Sequence, residues 1–292
     1  MTSSTHLPAD LTRRWHQSAE HLGAHAPADV SLHSGVGGRT LSGPVTATGE
    51  LPAWLRLMVA PRPEGKIWEG AALADTLLGE AVPRPVMLGE HAWQEEQGAF
   101  QATLWTRLRG QVLSPTPDLS DAAPVDDQWW QELRSCIEEV RATPVPTGRE
   151  VMTQAYINRI PRFIPALAGE GLTVHRWEAA HGDLNWANLT REPLEVIDWE
   201  GWGNAPAGYD AAVLLAYALP APATVAKVRE VFDDVLNTDH GRLAQLVICA
   251  ETIQASERDD VHARLRPYVE QLANKVSLFI LLLEAEGPAQ HG

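Results

Sequence analysis

The sequence predicts an α+β chain, with a small antiparallel sheet lobe first and a larger helical lobe after it. Short runs of alternating apolar and polar residues, punctuated by glycine turns, fill the chain to about residue 105. Helical periodicity takes over from residue 126. A stretch rich in Pro, Asp and Ser, residues 111–127, separates the two. Strands gathered first and helices afterwards imply two layers of unlike structure, with a ligand site expected between them. The expected division is 1–105, a connector at 106–110, and 111–292.

Taken in order, Leu11, Trp15, Ala19 and Leu22 recur at helical spacing and predict a helix over 10–25 opened by Asp10. A half-buried strand over 29–34 runs into Gly35-Val36-Gly37-Gly38. Extended segments over 40–48 and 53–60 flank a turn at Gly49-Glu50. A helix over 66–79 would turn Ile67, Ala71, Ala74 and Leu78 to one face, with Glu69 near its start. After a proline-punctuated linker at 82–85, strands are expected at 86–88 and 99–105, joined by a polar turn at 95–98. The helical half opens at Asp126, with Trp130, Leu133, Ile137 and Val140 inward, and is stopped by Pro144 and Pro146. A second helix broken by Pro161 and Pro165 follows, then helices over 211–218, 224–236, 242–255 and 260–286. There are no internal repeats.

Composition narrows the partners. A chain of 292 residues, 45% hydrophobic and 21% charged, is long enough for one large or two modest cores. A formal charge of −15 argues against nucleic acid, which needs Lys and Arg on phosphates. It suits a cationic small molecule, and it equally serves solubility. Cys136 and Cys249 form no metal or disulfide pattern and fit a reducing cytosol. The polar start, Met1 to Asp10, does not have the form of a secretory leader. The longest apolar run, Leu278 to Leu283, is far short of the ~20 residues of a membrane span and reads as a buried helix face. The expectation is a cytoplasmic protein with neither nucleic acid nor membrane as partner; the oligomeric state is open.

The chemistry concentrates in His181-Gly182-Asp183-Leu184-Asn185-Trp186-Ala187-Asn188, followed by Val196-Ile197-Asp198-Trp199-Glu200. This reads H-x-D-x-x-x-x-N, with a second carboxylate ten positions on. Phosphoryl transfer needs a carboxylate to orient the attacking hydroxyl and oxygen ligands to hold Mg²⁺ on the phosphates. Asp183 suits the first role, Asn188 and Asp198 the second, and the spacing is that of a kinase catalytic loop. His181 reads as a scaffold rather than a base. Upstream, Gly35 and Gly37 fit a G-x-G-x-x-G turn whose last position is Thr40, with Gly38 beside the pair. Such a turn brings backbone N–H groups to phosphate oxygens.

On these residues the chain resembles the aminoglycoside phosphotransferase family, which carries H-G-D-x-x-x-x-N followed by I-D-W/F-E/D. The likeness extends into Gly203-Asn204-Ala205-Pro206-Ala207-Gly208-Tyr209-Asp210, similar to that family's G-D-P-x-x-D segment. The resemblance implies a protein-kinase-like two-lobe fold, ATP and Mg²⁺, and transfer of phosphate to a hydroxyl of a small molecule. An aminoglycoside or amino sugar is the first implied acceptor, with choline or homoserine as alternatives. It also implies that Asp210 bonds the catalytic-loop backbone, and that Thr106 and Leu108 meet the adenine. One position departs from the pattern. Kinases place Lys on the third strand; here Arg56 stands there, with Glu69 as its expected partner and Lys66 as the rival cation. The exchange is not conservative, because Arg is forked and bulkier. Trp186, Glu200 and Trp202 are further substrate candidates, with packing as the alternative. A protein kinase is disfavoured, since twelve positions between Asp198 and Asp210 leave no room for an activation segment. A catalytically silent nucleotide binder is the other reading: the missing Lys favours it, and retention of Asp183, Asn188 and Asp198 opposes it.

Overall fold

A computed structural model of the chain describes residues 9–96 and 98–286. The start of the polar opening segment, residues 1–8, lies outside the described residues, as does Gln97 in the polar turn. The chain divides into two compact units, Met1–Thr76 with Arg84–Arg109, and Leu77–Pro83 with Gly110–Gly292.

The first unit is a five-stranded antiparallel sheet of β1 (His33–Ser34), β2 (Thr40–Ala47), β3 (Leu51–Ala60), β4 (Met87–Glu95) and β5 (Gly98–Thr106), in the order β1-β2-β3-β5-β4. Two helices accompany it, α1 (Ala9–His21) and α2 (Lys66–Leu77). Leu11, Trp15 and Ala19 of α1 pack with Leu41, Val45, Leu55, Leu57 and Leu104 into one core. The Trp15 indole N–H donates to the Leu55 carbonyl at 3.1 Å, so its one polar atom is satisfied inside. α1 stops short of residue 25 because Gly23 adopts φ +66, a left-handed helix stop. His25 then bridges to Thr46. Of the strand expected over 29–34, only the last two residues pair. The β2–β3 turn does fall at Gly49 and Glu50, both at positive φ (78 and 60).

Two readings of this unit are corrected. The inward residue at the start of α2 is Trp68, packed with Met58 and Ala99, while Ile67 is 50% exposed. The larger indole buries more apolar area, and that sets the helix's rotation. β4 is also much longer than 86–88. As an edge strand it buries little, and Gly89 and His91 on its inner side with Leu88 and Ala92 on its outer side blur the alternation.

The second unit holds α3 (Asp127–Ala142), α4 (Gln154–Ile157), β6 (Trp177–Ala180), β7 (Gly203–Pro206), α5 (Tyr209–Tyr217), α6 (Pro222–Val231), α7 (Asp233–Leu236), α8 (Asp239–Ala255) and α9 (Asp260–Glu286). Asp126 caps α3 by accepting the Trp129 N–H at 2.9 Å. Trp130, Leu133, Ile137 and Val140 are buried, joined by Trp129 and Cys136. The proline-broken helix shrinks to α4 and two single turns at Ile160–Arg162 and Pro165–Leu167, as expected where proline removes backbone donors. The helix expected over 224–236 breaks at Phe232, which leaves helical geometry at φ −116, ψ 24. Near the chain end, Leu278 and Phe279 are 60% and 42% exposed, so the expected buried face fails there. Arg242 covers the Phe279 ring instead, 3.9 Å from its centroid. The side chains of 280–283 lie outside the described residues. Among the described residues no helix is long and apolar enough to cross a membrane.

Candidate active site

The loop from His181 to Asn188 begins where β6 ends. The β6–β7 ladder closes at Ala180 opposite Gly203 and fixes the loop's starting point. Gly182 takes φ +86, and a Cβ there would lie 2.8 Å from a Val151 methyl, so only glycine fits without displacement. Asp210, buried in the first turn of α5, accepts the N–H of His181 at 2.8 Å and of Gly182 at 3.1 Å. Burial pushes its pKa up to about 7, although the two N–H bonds pull the other way.

His181 joins two segments. Its Nδ1 accepts the Asp183 N–H at 3.2 Å, which leaves the proton on Nε2 to donate to the Ile197 carbonyl at 2.9 Å. Burial lowers its pKa to about 4, so the ring is neutral. Trp199 packs edge-on against it, 4.5 Å between ring centroids, with its own N–H on the Val196 carbonyl. The Ile197 N–H donates to the Asn188 carbonyl at 3.0 Å, beside a Leu189–Val196 bridge. Asn188 is thereby held next to the segment that presents Asp198. Asp198 itself is left-handed (φ 67, ψ 50), a conformation shared among described non-glycine residues only by Glu50. Left-handed geometry costs a non-glycine residue on the order of 1 kcal/mol and concentrates where function fixes the backbone.

Asp183 is held on both oxygens. Asn185 donates to Oδ1 at 2.8 Å, while Asn188 donates to Oδ2 at 3.3 Å and to the Asp183 carbonyl at 2.8 Å. The carboxylate is open to solvent, but it lies on the wall of a concavity where protein atoms crowd out much of its water. That desolvation is the main reason its pKa rises to about 6; the nearby Asp198 charge adds to the rise, and the Asn185 bond opposes it. The Asn188 oxygen lies on the side of its amide opposite the donating nitrogen, and Asp198 is exposed. Among the described residues no group of three or more His, Cys, Asp or Glu could hold a metal alone. Two hard oxygen donors suit a cation that takes its remaining ligands from phosphates and water, as Mg²⁺ does.

In the first unit, Gly35, Val36, Gly37 and Gly38 form a tight turn between β1 and β2, with Gly37 and Gly38 at φ 80 and 67. The Gly35 N–H donates to the Thr40 carbonyl and the Gly38 N–H to the Gly35 carbonyl, both at 3.1 Å. Arg56 sits half-buried on β3, opposite Ser42 and Thr103. Glu69 accepts the Gly65 N–H at 3.2 Å and so caps the first turn of α2, a bond the sequence reading did not foresee. Thr106 ends β5, its hydroxyl accepting the Val86 N–H at 2.9 Å; Leu108 follows just beyond the strand, half-buried.

Two aromatic candidates are corrected. Trp186 and Trp202 are fully buried and do not line the concavity at Asp183. Trp186 donates to the Leu214 carbonyl at 3.3 Å and meets Trp130 edge-on; Trp202 lies under the Arg149 guanidinium at 5.2 Å. Both indoles are core. Glu200, in the turn after Asp198, is half-buried, and its carbonyl accepts from Arg149 at 2.6 Å.

The concavity has a volume of about 340 Å³ and lies wholly within the second unit. Its walls bring Asp183 together with Tyr156, Tyr209, Tyr217, Glu251, Arg258 and His262. The Tyr209 hydroxyl donates to Glu251 at 2.7 Å, the Tyr156 hydroxyl to Gln254 at 3.1 Å. Tyr217 bonds His262 Nε2 at 2.8 Å, and His262 Nδ1 bonds Asp259 at 2.6 Å. The sequence reading missed every one of these wall residues. They come from α4, α5, α8, α9 and one turn, with no shared motif.

No family model and no curated protein matches the sequence. Solved structures do match. A thermostable mutant of the aminoglycoside phosphotransferase APH(4)-Ia aligns at a TM-score of 0.58 and 13% identity, over 86% of this chain and 94% of that one. A microcompartment-associated aminopropanol kinase aligns at 0.55 and 14%, over 90% and 96%. Amicoumacin kinase hAmiN, solved with AMP-PNP, Ca²⁺ and Ami, aligns at 0.54 and 13%, over 91% and 94%. At such identities the likeness is one of fold. The sheet-bearing first unit and helical second unit are thus those of the protein-kinase-like fold that aminoglycoside phosphotransferases and small-molecule kinases share.

Proposed function

We propose that this protein is a small-molecule kinase that transfers the γ-phosphoryl group of ATP to an acceptor hydroxyl. The observation that carries the reading is Asp183: both its oxygens are held by neighbouring asparagines, its pKa is raised to about 6, and it faces a ligand-sized cavity beside Asp198. In the reaction the acceptor oxygen forms a bond to the γ-phosphorus as the bond to the β-bridging oxygen breaks. ADP leaves, and the hydroxyl proton passes toward Asp183. A carboxylate with a pKa near the working pH suits that task, and positioned acid–base help is typically worth ~10²–10⁴-fold. Asn188 and Asp198 would hold Mg²⁺, which when bound neutralises charge on the phosphates. His181 and Asp210 position the loop. The Gly35–Gly38 turn, Arg56, and the Thr106 and Leu108 segment are proposed for the nucleotide, with Glu69 as the Arg56 partner.

Metal-dependent nucleotide binding tests the reading. ATP with Mg²⁺ at about 100 times its Kd stabilises a one-site protein by about 2.7 kcal/mol. Thermal denaturation of the wild type is expected to rise accordingly, and Asp198→Ala is expected to lose the Mg²⁺-dependent part. An Asp198→Ala protein that responds to Mg²⁺ and ATP as the wild type does would remove Asp198 from the site.

A further inference from the structure

Helix α5 begins without a cap of its own. Gly208 stands at its N-cap with φ +87, and a Cβ there would lie 3.0 Å from a Val235 methyl and 3.3 Å from the Gly241 Cα, which leaves the place to glycine. In a capping box the third helical residue reaches back to the N-cap N–H. Here that residue is Ala211, which has no polar side chain, while Tyr209 and Asp210 are committed to Glu251 and to the catalytic loop. The Gly208 N–H is met from another element. Glu178, on β6 three positions before His181, accepts it on Oε1 at 2.8 Å. Its second oxygen lies 3.0 Å from the Arg141 Nε of α3, with Arg176 further off at 3.8 Å, and its side chain is buried. Glu178, Arg141 and Asp210 line one cavity of about 10 Å³. These bonds close a ring. β6 holds the start of α5 through Glu178, α5 holds the His181 and Gly182 N–H groups through Asp210, and the loop returns to β6 along the chain. A buried ion pair is a poor source of net stability, because desolvation of the two charges offsets their attraction. What this one fixes is a position.

We propose that Glu178 is a positioning residue of the catalytic loop: by holding the Gly208 N–H it sets where Asp210, and through it Asp183, stands. The property that matters is the reach of its Oε1 oxygen, not its charge. The inference rests on the kinase reading for the reaction that the loop serves, but the positioning itself is read without nucleotide.

Three variants separate reach from charge. Glu178→Gln keeps the oxygen in place and drops the charge, and the partly exposed Arg141 can turn to water. Glu178→Asp keeps the charge and withdraws the oxygen by one methylene. Glu178→Ala removes both. The first arm follows amide hydrogen exchange in the protein without nucleotide. In the Asp and Ala variants exchange at His181 and Gly182 is expected to quicken by at least about tenfold more than in α8, and in the Gln variant to stay at the wild-type rate. Equal quickening in α8 and the loop makes Glu178 a residue of stability alone and overturns the inference. Loop exchange that quickens in Gln but not in Asp makes its charge the cause and also overturns it. The second arm measures phosphate transfer from γ-³²P-ATP with Mg²⁺ to an acceptor series of kanamycin, glucosamine, choline and L-homoserine. Glu178→Asp is expected to lower kcat at least about tenfold with the KM for ATP within about twofold, and Glu178→Gln to keep kcat within about twofold of the wild type. Transfer at the wild-type kcat in Glu178→Asp overturns the inference and leaves the kinase reading standing. Faster loop exchange in the Asp and Ala variants, with neither transfer nor ATP binding in the wild type, does the reverse.

Discussion

At the scale of single residues, the site is a problem in desolvation. Asp183, His181 and Asp210 lie together, and loss of water, by burial for His181 and Asp210 and by crowding for Asp183, shifts each toward its neutral form: Asp183 to about 6, Asp210 to about 7, His181 to about 4. A carboxyl whose pKa is raised gains a proton as pH falls through that value, and a protonated Asp183 cannot accept another. The expected kcat/KM profile of the wild type is therefore flat above about pH 7 and falls on the acid side with a midpoint near pH 6. An acid limb centred near pH 4 would mean that Asp183 carries an ordinary carboxyl. That Asp183, Asn188 and Asp198 lie near one another was legible in the sequence, because they fall within a few residues of one another or of a single short bridge. The roles of Trp186 and Trp202 were not. An indole beside a catalytic loop looks the same in sequence whether it covers a sugar or fills the core, and here Trp130 and Arg149 claim the faces.

At the scale of elements, α5 matters through one side chain at its start. Asp210 accepts two loop N–H groups, and Asp210→Ala would leave the buried His181 N–H and the part-buried Gly182 N–H without this partner. Each unmet buried donor costs about 1–3 kcal/mol. The sign of the pH dependence follows from the raised pKa. Relative to the unfolded chain, the native state holds an extra proton between about pH 4 and pH 7, so the Asp210 contribution shrinks as pH rises through that window. Urea unfolding is expected to show a larger loss for Asp210→Ala at pH 5 than at pH 8; a loss that grows from pH 5 to pH 8 would contradict this account. Elements were otherwise read best where burial is one-sided, as in α3, whose four predicted inward residues are all buried. They were read worst where packing overrides pattern. Trp68 rotates α2 past Ile67, and the edge strand β4 buries too little to announce its length.

At the scale of the whole molecule, order along the chain was legible because strands and helices segregate at a proline-rich stretch. The cavity beside Asp183 was not, since its wall is assembled from α4, α5, the α8–α9 turn and both flanking helices, which only folding brings together. The claim beneath the whole account is that Asp183 directs a hydroxyl at a nucleotide's terminal phosphate. Transfer of label from γ-³²P-ATP to the acceptor series, compared between wild type and Asp183→Asn, tests it most directly. The account predicts a labelled acceptor in the wild type, a kcat at least about 10²-fold lower in the variant, and ATP affinity within about twofold. Equal transfer by the two proteins would contradict it.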